Sequence, residues 1–341
     1  MPTTNMRREI DEIPEAVARF LAGSTAEVSE AAAALRASDP LVVTTIARGS
    51  SDHASNYLKY VIELTLGLPV ASIGPSVASI YGRKLRLERA AALAISQSGK
   101  SPDIVSAAQL AREGGATVIA LTNTANSPLA DAANWTIDLL AGPEKSVAAT
   151  KSFVSSVVAG LALVAAWSEN ADLQRALINL PEVLGRSLEC DWSELVEALD
   201  GHSSLYVLGR GPGMAIASEA ALKFKETCGM HAEAYSSAEV AHGPKAIVTN
   251  GYPVLALAAR DRSEASVIES ADRLGEQGAQ VFVTAERPGR SRALPFAASG
   301  HNLTDALSLV VSFYGFAETL ARHRGLDPDQ PPHLKKVTET V

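Results

Sequence analysis

Ala91-Ala-Leu-Ala-Ile-Ser-Gln-Ser-Gly-Lys-Ser-Pro-Asp103 is the stretch that decides the fold. Ala91 to Ile95 is a short apolar run, as expected for a strand buried on both faces of a parallel sheet. Ser96 to Ser101 then turns, and Pro102 suits the first position of a helix with Ser101 as its N-cap. Backbone N–H groups at a helix N-terminus lack partners, and the helix dipole favours negative charge there. Ser96, Ser98 and Ser101 add three hydroxyl donors, and Gly99 lets the backbone approach a ligand. Two readings are open: a phosphate cradle, or a polar strand-to-helix loop with an ordinary N-cap. Gly99-Lys100-Ser101 resembles the end of a nucleotide P-loop, but the earlier glycine that motif needs falls on Ala94.

Outward from this stretch, strands alternate with helices, which implies parallel sheets. Upstream, Met6 to Leu21 has helical spacing, and Leu41 to Ile46 reads as a strand that runs into Ala47-Arg-Gly-Ser-Ser-Asp52. Downstream come a helix from Pro102 to Glu113, strands at Ala116–Leu121 and Trp135–Leu139, and the turn from Gly142 to Ser152 before a long apolar helix. From about Asn170 to Asp200 the pattern reads as two connecting helices. It then restarts with a strand at Leu205–Leu208, the turn Gly209-Arg-Gly-Pro-Gly213, and a helix from Met214 to Thr227. Further strands follow at Pro253–Ala259 and Gln280–Thr284, and a helix at Asn302–Arg324. Arg48-Gly49 corresponds to Arg210-Gly211 at an offset of 162 residues (211 − 49), and Ser96 to Asp261 at 165 (261 − 96) with a small insertion. The chain is therefore expected to be α/β with two similar halves, only the first keeping a cradle. Gly209-x-Gly211-x-Gly213 is read as a tight turn; its third glycine falls one place early for a dinucleotide fingerprint.

Composition narrows the function. With 47% hydrophobic and 20% charged residues, the 341-residue chain reads as a soluble globular protein of about two domains. A net charge of −8 without a basic block argues against nucleic acid and anionic membrane as partners. Cys190 and Cys228 form no disulfide framework, as expected for a reducing cytoplasm. The first residues lack a signal-peptide core, and Val157 to Trp167 is too short to span a bilayer. The seven histidines are scattered without metal-ligand spacing, so neither metal nor organic cofactor is expected.

Five motifs together resemble the sugar isomerase (SIS) family, in particular the isomerase half of glucosamine-6-phosphate synthase. They are Ala47-Arg-Gly-Ser-Ser51, the serine loop, Gly142-Pro-Glu-Lys-Ser-Val-Ala-Ala-Thr-Lys151, the run from Ala220 through Glu226 and His231 to Pro244, and His333 to Val341. The resemblance implies two tandem SIS domains, each a parallel sheet flanked by helices in a flavodoxin-like three-layer sandwich. The expected organisation is a helical arm (1–30), a first SIS domain (31–170), a helical connector (171–200), a second SIS domain (201–330) and an active-site tail (331–341). Residue 2 is Pro and no Cys precedes Cys190, so the cysteine-led glutaminase domain of the synthases is not expected. The implied activity is that of stand-alone family members: deamination of glucosamine 6-phosphate to fructose 6-phosphate and ammonia. The alternatives are an isomerase or deglycase of a related amino-sugar phosphate, or a phosphosugar-binding regulator without turnover.

Carried onto this sequence, the resemblance makes Glu226 the shuttle that moves a proton between C1 and C2. A surface carboxylate paired with Lys223 or Lys225 is its plain alternative. His242 becomes the ring-opening residue, donated by the neighbouring subunit of a homodimer; a loop histidine capping carbonyls is the alternative. Lys336 becomes the tail lysine that reaches the sugar and can form an imine, with Lys335 beside it as the bland candidate. Ser50, Ser51, Ser96, Gln97, Ser98 and Ser101 would hold the substrate. Val147 and Ala149 would lie against the sugar through their backbone, Ala149 standing where the synthase has serine. His231 is read as structural.

Overall fold

The computed structural model describes residues 3–336. Residues 1–2 of the expected arm and 337–341 of the expected tail lie outside them. The first sheet comprises β1 (Val42–Ile46), β2 (Val70–Ser72), β3 (Ala90–Ile95), β4 (Thr117–Thr122) and β5 (Trp135–Asp138), in the order β2-β1-β3-β4-β5. The second comprises β6 (Ser204–Gly209), β7 (His231–Ser236), β8 (Pro253–Ala256), β9 (Gln280–Val283) and β10 (Arg292–Ala293), in the order β10-β9-β8-β6-β7. All strand pairs are parallel. Read from the β7 edge, the second order is the same winding as the first. Each sheet reverses its winding between its first and third strands, which is where ligands of such sheets bind, beyond the carboxyl ends. Helices flank both sheets, so the chain is α/β with two parallel sheets, as expected.

β3 is buried along its whole length. Its alanines join Ala107, Ala108 and Ala111 of the Pro102–Glu113 helix in one core cluster. Small side chains on both elements let the helix lie close to the sheet. That fixes where the helix N-terminus, and with it the serine loop, is presented.

The two halves repeat in detail. Thr44 pairs with Ala92 in the first sheet, and Tyr206 with Val254 in the second, each 162 positions later. Gly49 (φ 56°, ψ −134°) and Gly211 (φ 57°, ψ −136°) adopt one backbone conformation at the start of equivalent helices. Side chains are excluded from that region, so both positions require glycine. Ser101 and Ser263 are both N-cap residues, again at an offset of 162 (263 − 101). The offset of 165 is therefore corrected: Ala258, not Asp261, is the counterpart of Ser96. The apolar run Pro253–Ala259 outlasts the strand, which ends at Ala256, so the end of the run is a poor marker of the register. Asp261 falls opposite Gly99. Its Oδ1 accepts from the Ser263 backbone N–H at 2.7 Å and the Ser263 hydroxyl at 2.6 Å. A carboxylate of the chain itself thus engages donors at this helix N-terminus.

The expected single helix over Met6–Leu21 is instead two, Asn5–Asp11 and Ile13–Gly23. Pro14 cannot donate to the carbonyl four residues back, which breaks the run. The chain forms two compact units. Described residues up to Pro14, Lys145–Thr150 and Asn179–Leu334 form the unit of the second sheet. Glu15–Glu144, Lys151–Ile178, Lys335 and Lys336 form that of the first.

Candidate active site

In the first-sheet unit, a cavity of about 140 Å³ opens beyond β1 and β3, at the switch point. It is lined by Ser51 from the first turn of the helix that follows β1, by Ser96, Gln97, Ser98 and Ser101 from the loop after β3, and by Lys336, with Arg48, Ile95 and Ile104. Six of the expected site residues therefore meet, drawn from positions 51 to 336. Ser50 opens the Ser50–Leu66 helix next to Ser51 and is not among the lining residues.

The loop organises its own donors. Ser96 Oγ accepts from the Gly99 backbone N–H at 3.2 Å, and Ser98 Oγ from that of Lys100 at 3.3 Å. A hydroxyl that accepts in this way keeps its hydrogen for another acceptor. Ser101 holds the N-cap position with no capping bond from its side chain. Gly99 also has a packing reason. At φ 63° its missing Cβ would sit 2.2 Å from Ser127 Oγ, so the glycine permits close packing of the loop on Ser127.

Lys336, not Lys335, lies at the cavity. Its ammonium donates to Glu144 Oε2 at 2.9 Å. Glu144 is fully buried and also accepts from the Ser152 N–H (3.0 Å) and hydroxyl (2.6 Å). Burial pushes its carboxyl up, but the Lys336 charge and the Ser152 bonds outweigh that and hold it below the usual carboxylate range.

The remaining expected residues belong to the second-sheet unit. Val147 and Ala149 are half-exposed, alternating with buried Ser146, Ala148 and Thr150. Glu9 fixes this turn. Its carboxylate, only 5% exposed, accepts from the backbone N–H of Lys145 and Ser146 and from the Ser146 hydroxyl. The hydroxyl reaches Ala148 O at 3.1 Å.

Glu226, on the Pro212–Cys228 helix, is paired with Lys223, but not as a surface pair. Lys223 is completely buried, its ammonium 2.7 Å from Glu226 Oε2 and 3.1 Å from Glu219 Oε1, itself buried. Tyr314 donates its hydroxyl to Glu219 at 3.0 Å. Burial alone would drive the Lys223 ammonium toward its neutral form; the two carboxylates reverse this and raise its pKa well above the usual lysine value. Glu226 itself is 22% exposed, with one oxygen held by a permanent cation and the other not engaged by it. This geometry suits a positioned base. His242 is exposed and closes the short turn Glu239–Ala241, its N–H donating to Glu239 O. His231 opens β7 and is exposed.

Arg48, Asp103, Glu9, Glu144 and the Glu219–Lys223–Tyr314 network were not identified as site residues from the sequence. Arg48 and Glu144 stand inside motifs quoted there, and Lys223 entered only as a surface partner. Among the described residues no three His, Cys, Asp or Glu side chains are grouped to hold a metal ion, and no helix is long and apolar enough to cross a membrane.

A family model for the SIS domain matches residues 38–166 and 199–291. The glutamine–fructose-6-phosphate aminotransferase (isomerizing) of Symbiobacterium thermophilum is 34% identical over 359 aligned positions, covering 97% of this chain and 58% of that protein. This chain thus spans just over half the length of such relatives. A crystal structure from Silicibacter pomeroyi, provisionally described as a phosphosugar isomerase, is 57% identical, covers 96% of this chain and all of that one, and superposes with a TM-score of 0.93. The glucosamine-6-phosphate deaminase of Thermotoga maritima shares the fold, with a TM-score of 0.79 at 21% identity over 99% of this chain and all of that one. Two parallel sheets of one winding, a serine loop at the switch point of the first and this match across both halves lead to one conclusion: the chain belongs to the SIS domain family.

Proposed function

We propose that this protein is an aldose–ketose isomerase of amino-sugar phosphates that deaminates glucosamine 6-phosphate to fructose 6-phosphate and ammonia. The observation that carries the reading is the cavity at the first switch point, where Ser51, the serine loop and Lys336 line one space. Hydroxyl and helix N-terminal donors suit a phosphate, and a lysine beside them suits an open-chain carbonyl.

In this reading His242 passes a proton between the ring oxygen and the anomeric hydroxyl, opening the ring. It is donated by the neighbouring subunit of a homodimer, for which an exposed histidine is suited. Glu226 takes the C2 proton and returns it to C1, leaving an imine at C2. Water adds to that imine and ammonia departs, giving the ketose. Lys223 keeps Glu226 oriented. Lys336, paired with Glu144, polarises the open-chain carbonyl or condenses with it to an imine, releasing water. Ser50, Val147 and Ala149 complete the substrate-holding set. No metal or organic cofactor is invoked.

The test is ammonia release from glucosamine 6-phosphate, with fructose 6-phosphate measured alongside. Equal amounts of both support the reading. Isomerised product without ammonia replaces it with simple isomerisation. Binding without turnover replaces it with a sensor.

A further inference from the structure

We propose that Arg48 is the residue that reads the charge of the substrate's phosphate, so that the cavity selects a phosphate dianion over the monoanion and over an unphosphorylated sugar. The inference rests on the reading above that this cavity holds the phosphate of a sugar phosphate.

Arg48 follows β1 and lines the cavity beside the serine loop. Its Nε is bonded to Asp103, which is completely buried, while the arginine side chain is 47% exposed. Asp103 is fixed in turn, its Oδ1 accepting from the Ile104 N–H at 2.9 Å. The guanidinium is therefore tethered at one donor, and its other N–H groups are carried on a side chain that lines the cavity. A tethered arginine loses less freedom on binding than a free one, and its planar fork matches a phosphate oxygen pair. The charge balance of the lining points the same way. Among the described residues that line the cavity, the only cation besides Arg48 is Lys336, which is engaged by Glu144. The hydroxyls and Gln97 are neutral, and the chain carries a net charge of −8 that offers an anion no long-range attraction. Arg48 is thus the lining cation best placed to meet a second negative charge.

A plainer role is open to it: Arg48 could serve only to cancel Asp103. A set of variants separates the two. Calorimetric affinities for glucosamine 6-phosphate, glucosamine and inorganic phosphate would be measured with the wild type, Arg48→Met, Arg48→Lys and the double variant Arg48→Met/Asp103→Asn. We expect Arg48→Met to weaken both phosphate-bearing probes by about ten- to a hundredfold, the range of a lost charge-assisted hydrogen bond. Arg48→Lys recovers only part of this, because an ammonium lacks the fork. The double variant, which leaves no orphaned carboxylate and so keeps the test open if Arg48→Met folds poorly, stays weak. Wild-type affinity rises as the phosphate loses its second proton near about pH 6, and this rise flattens without Arg48. Wild-type affinity in the double variant would overturn the proposal and reduce Arg48 to a counter-ion of Asp103. Undiminished affinity in Arg48→Met would also overturn it. A wild type that binds neither phosphate probe would instead remove the cavity reading itself, and the inference with it.

Discussion

Replacing Lys223 with Met removes a buried cation and leaves its carboxylates. Each attraction, at 3.1 Å and 2.7 Å, is on the order of 5 kcal/mol at an effective dielectric near 20, before the burial of the ammonium is set against it. Met fills much of the vacated volume, so packing is a small part of the change. Glu219, buried and still accepting from the Tyr314 hydroxyl, then carries a charge that has lost its buried cation, or takes up a proton. We expect a loss of about 3–5 kcal/mol at neutral pH. The sign of its pH dependence follows. A buried Glu219 without its cation has a folded pKa above the unfolded value of about 4.3, so the deficit grows as pH rises beyond that value and shrinks toward it. Amide hydrogen exchange along the Pro212–Cys228 helix reads the local stability at pH 5.5 and pH 8. Adding Glu219→Gln should restore most of the stability while turnover stays low, because Glu226 has still lost its anchor. A loss under about 1 kcal/mol, or one independent of pH, would refute the reasoning.

Three further outcomes are expected. Glu9→Ala removes the acceptor of the Lys145 N–H and of both buried Ser146 donors; a loss of about 2–4 kcal/mol is expected, with fast amide exchange at both residues and a raised KM, whereas unchanged exchange would deny Glu9 its hold on the turn. Gly99→Ala drives a Cβ into Ser127 at a backbone angle that disfavours side chains, and should cost about 1–3 kcal/mol along with phosphosugar affinity; a neutral substitution would contradict the close approach. Glu144 has a folded pKa below the ordinary glutamate value, so its contribution to stability is present above that value and is lost as pH falls through the folded pKa. Melting curves from pH 7 down to pH 3 should therefore fall less steeply in Glu144→Gln than in the wild type, and parallel curves would count against the pairing with Lys336.

The serine loop could be read in the sequence because its signals are local: an apolar run, a hydroxyl cluster and a proline at helix position one lie within thirteen residues. The doubled architecture was legible for the same reason, since Gly49 and Gly211 mark the same turn. β7 escaped because His231 to Ser236 mixes charged, small and aromatic residues at a sheet edge, where β6 is its one neighbouring strand and only Ala232 is buried. Glu9 escaped because its partners lie 136 and 137 positions away, and nothing near it announces a turn to be held. Lys223 was misplaced for a subtler reason. Helical spacing correctly paired it with Glu226, but spacing does not say which face is buried, and packing turned a surface pair into a core network. Arg48 and Asp103, 55 positions apart, meet only once β1 and β3 are neighbours in the sheet.

The most direct test of the account follows the proton. Glucosamine 6-phosphate would be incubated with the wild type and with Glu226→Gln in deuterated water, and the sugar phosphates read by proton NMR. The account predicts fructose 6-phosphate with the wild type, carrying solvent deuterium at C1 to the extent that the proton on Glu226 exchanges before it is returned. With Glu226→Gln it predicts bound but unchanged glucosamine 6-phosphate. Ketose formed as fast by the Glu226→Gln variant as by the wild type would contradict a proton shuttle at Glu226.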